Sequence, residues 1–158
     1  MSAIEAIKTE IVNRFPGAKV SDADYAKRGQ HLEVELEQED ILRLAQVFRS
    51  HAFFLEFGTA VDLVDNFQIV YQFGRYAERA RVVVKYPLPK NTEATSIALV
   101  YPGADWFERE VYDMFGVRFS GHPDMRHLIM PEDSTFYPLL KTPKPKEKPA
   151  KGIAEDKT

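Results

Sequence analysis

Residues 53–86, FFLEFGTAVDLVDNFQIVYQFGRYAERARVVVKY, hold three runs rich in β-branched and aromatic residues: Phe53 to Val64, Phe67 to Phe73 and Arg79 to Tyr86. Breaks at Asp65-Asn66 and around Gly74 separate them, so the segment predicts two hairpins in series and an antiparallel sheet. In the middle run Phe67, Ile69, Tyr71 and Phe73 alternate with Gln68, Val70 and Gln72. A period of two puts these four on one face, which is expected to be core.

Upstream, Ile4, Ile7, Ile11 and Val12 recur at helical spacing until Phe15-Pro16-Gly17 stops the pattern, predicting a helix over 2–14. A strand is expected over Lys19 to Asp22, a turn at Arg28-Gly29-Gln30, and a half-buried strand over His31 to Leu36, with His31 as an exposed polar residue at its start. Glu39 to Ala52 predicts a second helix with a broad apolar stripe. Leu88 to Asn91 reads as a loop, and Ala94 to Val100 as a brief strand or helical turn. The fold class is α+β: helices packed on a mainly antiparallel sheet of four or five strands, followed by one more helix and an extended C-terminal segment.

That last helix lies in residues 104–133, ADWFEREVYDMFGVRFSGHPDMRHLIMPED. Asp105 and Glu108 have capping-box spacing, with Asp in place of the usual Ser or Thr. Phe107, Val111, Met114 and Phe115 fall on one side, while Arg109, Glu110 and Asp113 gather on the other, Arg109 and Asp113 being placed to pair. Glu108 and Glu110 point to different sides, poor geometry for a shared proton or metal, so one carboxylate is expected to serve the cap and the other to face a partner. Gly116 is placed to end the helix in the left-handed conformation, and Pro123 biases His122 toward extended backbone. Trp106, Tyr112, Arg109 and Arg126 together form the residue mix enriched at protein interfaces.

Composition excludes several classes. The 158 residues are 44% hydrophobic and 12% aromatic with a formal net charge of −3, which suits one globular domain and gives no basic field for nucleic acid. There is no cysteine, so these residues hold neither a thiolate-ligated iron–sulfur cluster nor a disulfide. No run approaches the roughly 20 apolar residues of a membrane span, and the Met-Ser-Ala-Ile-Glu start does not look like a targeting segment. The eight glycines form neither G-x-G-x-x-G nor a Walker loop. His122 and His127 are five apart across Pro123 and do not share a helical face as zinc ligands would. No G-x-S-x-G nucleophile elbow occurs.

The string Glu108-Arg109-Glu110, then Asp113, Gly116, Phe119, Gly121-His122-Pro123-Asp124 and Arg126, resembles the signature of the 30-kilodalton subunit of proton-pumping NADH:quinone oxidoreductase (complex I). The family has counterparts in membrane-bound hydrogenases and related reductases. Two departures stand out. His127 occupies a position where many members carry a second Arg. Ser134-Thr135-Phe136-Tyr137-Pro138-Leu139-Leu140-Lys141 replaces an expected Trp-x-Gly-x-Pro-Leu-Arg-Lys pattern, without its Trp, Gly and Arg.

The resemblance implies a cofactor-free subunit of the peripheral arm, with FMN, iron–sulfur clusters and quinone held by partner subunits. Its partners would be the large quinone-site subunit and neighbouring iron–sulfur subunits, on the cytoplasmic side of a bacterial inner membrane. The interface residues implied are Trp106, Glu108, Arg109, Glu110, Asp113, Gly116, His122, Pro123, Asp124 and Arg126. A buried Arg–carboxylate contact would set the docking register. The domain is expected over 1–133, with 134–158 an extended or disordered Lys/Pro-rich tail. Two alternatives remain open: the equivalent subunit of a membrane-bound hydrogenase or related reductase, and a free-standing acid–base enzyme using Glu110 and His122.

Overall fold

The computed structural model describes residues 1–141. Helix α1 spans Ala3–Arg14, its first turn held by a capping box in which Ser2 and Glu5 each accept the other's amide. Strand β1 (Lys19–Asp22) leads through a short helix α2 (Tyr25–Arg28) to β2 (Leu32–Glu35). Gly29 closes α2 in the left-handed region at φ 72°. A 3-10 turn over Gln38–Asp40 opens α3 (Ile41–Ser50), which is followed by β3 (Phe54–Asp62), β4 (Asn66–Arg75) and β5 (Ala80–Pro89). Strand β6 (Ala94–Thr95), helix α4 (Ala104–Phe115) and strand β7 (Phe119–Ser120) complete the fold.

The main sheet has five strands in the order β1-β2-β5-β4-β3. Its β3–β4 and β4–β5 hairpins are antiparallel, as their turn spacing predicts, and so is β1–β2. The parallel β2–β5 pair joins the two halves. It is possible because α3 and the β3–β4 hairpin intervene in the chain, which gives the long crossover that a parallel pair needs. The expected α+β class and mainly antiparallel sheet are therefore what is found.

One face of this sheet carries Phe67, Ile69, Tyr71 and Phe73 from β4 and Val82, Val84, Tyr86 and Leu88 from β5, all buried. They join Ile7 and Ile11 of α1, Ile41, Leu44 and Phe48 of α3, and Val111 of α4 in a single core. Phe48 stacks on Phe73 with ring centroids 4.4 Å apart.

Some local readings shift. Strand β5 runs on through Pro89, and Leu88 is in the core rather than a loop, because β4 is long enough for Phe67 to pair with it. Asn66 belongs to β4, and the hairpin turns at Leu63–Asp65 instead, with Val64 at φ 77° and its amide bound to Asp62 Oδ1 at 2.8 Å. His31 is half-buried rather than exposed: its ring stacks on Tyr25 and its Nδ1 accepts the Arg81 amide at 3.1 Å. Among the described residues, no helix is long and apolar enough to cross a membrane.

Candidate functional site

Helix α4 is the element that gathers the polar side chains. It begins earlier than capping-box spacing implies, with Gly103 at the cap and no side-chain cap bond. Asp105 therefore lies inside the first turn, and Glu108 is freed from capping. It points into the protein at 1% exposure and accepts hydrogen bonds from Ser96 Oγ (2.5 Å), the Ile97 amide (2.8 Å) and Tyr71 Oη (3.2 Å). Burial pushes the Glu108 carboxyl above the usual range, and these donors, with His122 nearby, offset only part of that rise. Burial also lifts the Tyr71 phenol well above its ordinary value, so it stays protonated and donates. Tyr86 is raised as well, and its hydroxyl is buried with no protein partner.

His122 closes this cluster from the far side. Its side chain is fully buried, Nδ1 accepts the Asp124 amide at 3.0 Å, and the proton therefore sits on Nε2. Nε2 faces Asp105 Oδ1 at 3.0 Å and Glu108 Oε2 at 3.9 Å. Pro123 is exposed beside it.

The opposite flank of α4 holds a second buried carboxylate. Asp113 Oδ2 accepts the amides of Leu128 (3.0 Å), Ile129 (2.6 Å) and Met130 (3.0 Å), and Oδ1 accepts from His127 Nδ1 at 2.6 Å. Successive N–H groups converging on one anion form a nest. Burial alone would raise the Asp113 carboxyl, but the amides of Ile129 and Met130, with His127 and Leu128, outweigh it and hold the group below its ordinary value.

Arg109 does not pair with Asp113. Its Nε donates to the Arg126 carbonyl at 3.1 Å and its Nη2 to the His127 carbonyl at 2.9 Å. Guanidinium and carboxylate thus clamp the same loop, one by its carbonyls and the other by its amides. His127 gains a defined role: it donates to Asp113 and stacks on Tyr112 at 5.1 Å.

Gly116 ends α4 at φ 75°, as its position implies, and a Cβ there would come within 2.7 Å of the Tyr137 ring. Gly116→Ala is expected to lose about 1–2 kcal/mol from the left-handed backbone alone, measured by urea unfolding. An unchanged midpoint would mean that residue 116 does not hold the left-handed conformation in the folded chain. Residues 134–141 fold back over the helix end, with the Leu139 amide on the Met114 carbonyl at 3.0 Å. The Lys141 amide and Nζ bind Asp62, by its side chain and its carbonyl, each at 2.8 Å. Of the expected tail, 142–158 lies outside the described residues.

Of the ten implied interface residues, Glu108, Arg109, Asp113 and the His122 side chain are thus buried and engaged within the chain. Trp106, Glu110, Pro123, Asp124 and Arg126 are exposed. Arg126 pairs with Asp124 at 2.8 Å, and the Trp106 ring has Arg109 6.0 Å from its centroid. No hydrogen bond or ion pair joins Glu110 to His122 among the described residues. Ser96 and Tyr71 carried no sequence signal for their part. Ile129, Phe136 and Leu139, each more than half exposed, did: they belong to the apolar runs Leu128-Ile129-Met130 and Phe136-Tyr137-Pro138-Leu139-Leu140, which lie outside any helix or strand.

Three comparisons bear on this arrangement. A family model described as the respiratory-chain NADH dehydrogenase 30 Kd subunit matches residues 34–149. The C subunit of NADH-quinone oxidoreductase from Mesorhizobium japonicum is 31% identical over 148 residues, covering 89% of this chain and 72% of that protein. The same-named protein of Sinorhizobium medicae is 46% identical over 77 residues, 49% of this chain and only 38% of the relative's length. In fold, the chain is similar to a chain of the membrane-bound sulfane sulfur reductase, an archaeal respiratory membrane complex, with a TM-score of 0.71 at 24% identity over 84% of this chain and 79% of that one. With the family model covering well over half of its residues and the Mesorhizobium protein alike along most of both chains, this chain belongs to the family of the respiratory-chain NADH dehydrogenase 30 Kd subunit.

Proposed function

We propose that this chain is a cofactor-free peripheral-arm subunit of a proton-translocating NADH:quinone oxidoreductase, docked on the large quinone-site subunit at the cytoplasmic side of a bacterial inner membrane. The observation that carries the reading is a surface that is apolar without being filled. Trp106 on α4 and Ile129, Phe136 and Leu139 on the segment after it are all more than half exposed, and Glu110, Asp124 and Arg126 are exposed on the same two stretches. Apolar anchors interspersed with charges are typical of protein interfaces and unusual on an isolated domain.

Beneath that surface, Arg109 and Asp113 act as positioning residues, holding the 126–130 loop so that Arg126 and Ile129 face outward. The absence of cysteine in these 158 residues supports a role without thiolate-bound clusters of its own. FMN, the iron–sulfur clusters and quinone then belong to partner subunits, among them the iron–sulfur chains nearby, and electrons pass beside this chain rather than through it.

Trp106→Ala and Glu110→Lys are expected to leave the isolated chain folded, since both sites are exposed, while lowering the amount that copurifies with the large quinone-site subunit by about tenfold. Full recovery of the complex with both changes would defeat the docking assignment. The fold similarity to a sulfane sulfur reductase chain favours one second reading, the equivalent place in a hydrogenase-type or related reductase. Isolation of the tagged chain from native membranes separates the two: flavin- and NADH-binding partners support the first, a nickel-site partner the second.

A further inference from the structure

At the end of the sheet away from the Asp62–Lys141 anchor, the β4–β5 turn and α2 enclose an open cleft of about 430 Å³, and three of its lining residues are Arg75, Arg79 and Arg81. These guanidiniums are unevenly satisfied. Arg81 uses its Nε on Glu56 Oε1 at 2.9 Å. Arg75 approaches Glu78 no nearer than 3.8 Å, while Glu78 already accepts the Ala3 amide at 2.8 Å. The Arg75 Nε is buried and has no hydrogen-bond partner. Arg79 has no carboxylate partner among the described residues and lies over the Tyr25 ring at 5.7 Å, which orders the side chain without cancelling its charge. Three cations thus face two carboxylates, Glu56 and Glu78, and a buried donor is left open. That Nε is closed to solvent, so a ligand in the cleft would meet Arg75 through the exposed part of its side chain, which is 30% accessible.

The same cleft carries a flat surface. Tyr76 stacks on Phe54 with centroids 4.0 Å apart and planes 9° from parallel, yet remains 87% exposed. One face of its ring is used and the other is open, the arrangement on which a planar ring stacks.

We propose that this cleft is a nucleotide-binding site, in which Arg75 and Arg79 take a phosphoryl group and the free face of Tyr76 takes the base. A phosphoryl group suits the donors better than a carboxylate, because it offers three terminal oxygens and up to two charges to converging forks. The step is binding alone, with no bond made or broken. The site is separate from α4 and from the docking surface.

Calorimetric titration of the full chain with ADP, adenosine, inorganic phosphate and phosphatidic-acid vesicles tests it. ADP is expected to bind saturably and more weakly as salt rises, with adenosine and phosphate each at least about tenfold weaker, because each keeps half of the contacts. Arg79→Gln should lower ADP affinity about tenfold, and Tyr76→Ala should weaken ADP while leaving phosphate binding unchanged. Both residues are exposed, so both variants should fold, which circular dichroism checks. In the unmodified chain, ADP should shift the NMR signals of the Arg75 Nε–H and of the residue 76–79 amides. No ADP binding, ADP binding indifferent to both substitutions, or binding to the vesicles alone would overturn the proposal.

Discussion

Asp113→Ala is expected to lower the stability of this domain by about 3 kcal/mol, since hydrogen bonds to a charged acceptor contribute about 1.5–3 kcal/mol each and do not add in full. The carboxylate is fully buried and accepts from three consecutive amides and from His127. Alanine leaves those donors facing a void, although the half-exposed loop can then turn some of them to water. Asp113→Asn retains one acceptor oxygen and should fall between alanine and the native residue. Urea unfolding measures the loss, and limited proteolysis locates it, with the first new cleavage expected between residues 126 and 140. A midpoint for Asp113→Ala equal to the native one would show that the loop is held some other way.

The pH dependence has a definite sign. The Asp113 carboxyl lies below its unfolded value of 3.8, so its contribution is fully present above that pH. It is lost as pH falls through the folded value. Acid should therefore release the 126–130 loop.

Glu108 is expected to behave in the opposite sense. Glu108→Ala strands the Ser96 hydroxyl, the Ile97 amide and the Tyr71 hydroxyl in a dry interior and should cost about 2–4 kcal/mol. Glu108→Gln keeps the shape, and the two hydroxyls can reorient to meet its amide. Because burial raises the folded Glu108 carboxyl above its unfolded value of 4.5, this residue favours folding most below that pH. Its contribution declines as pH rises through the folded value. The stability of Glu108→Gln relative to the native chain should accordingly increase as pH rises from about 4 through the folded value, with groups distant from Glu108 cancelling in the difference. A flat difference would mean that Glu108 ionises in the fold as it does in the unfolded chain.

The two carboxylates show why part of the site was legible and part was not. Both sit five residues apart on one helix, and both are wholly buried. One is held below its ordinary range and the other above it. Asp113 meets three amides and an imidazole from a loop immediately downstream; Glu108 meets only one amide, from a loop upstream, and two neutral hydroxyls. Helical periodicity places a carboxylate on a face, but the donors it meets come from segments whose approach depends on tertiary packing. Arg109 illustrates the same limit: spacing allows an ion pair with Asp113, and the fold gives each of them to the 126–130 loop instead.

The chain's own pattern determined the three consecutive strands, because alternation with period two and turn residues between the runs act within a few residues of one another. It determined the helices flanking them and the left-handed stop at Gly116, since only a residue without Cβ takes that conformation at little cost. Tertiary structure alone decided the parallel β2–β5 junction, the inward turn of Glu108, and the docking of residues 134–141 against Gly116 and Asp62. Each of these joins groups far apart in the chain, or sets a charge's fate by the solvent and donors around it. Local sequence carries neither quantity, because desolvation and long-range pairing exist only once the layers have packed.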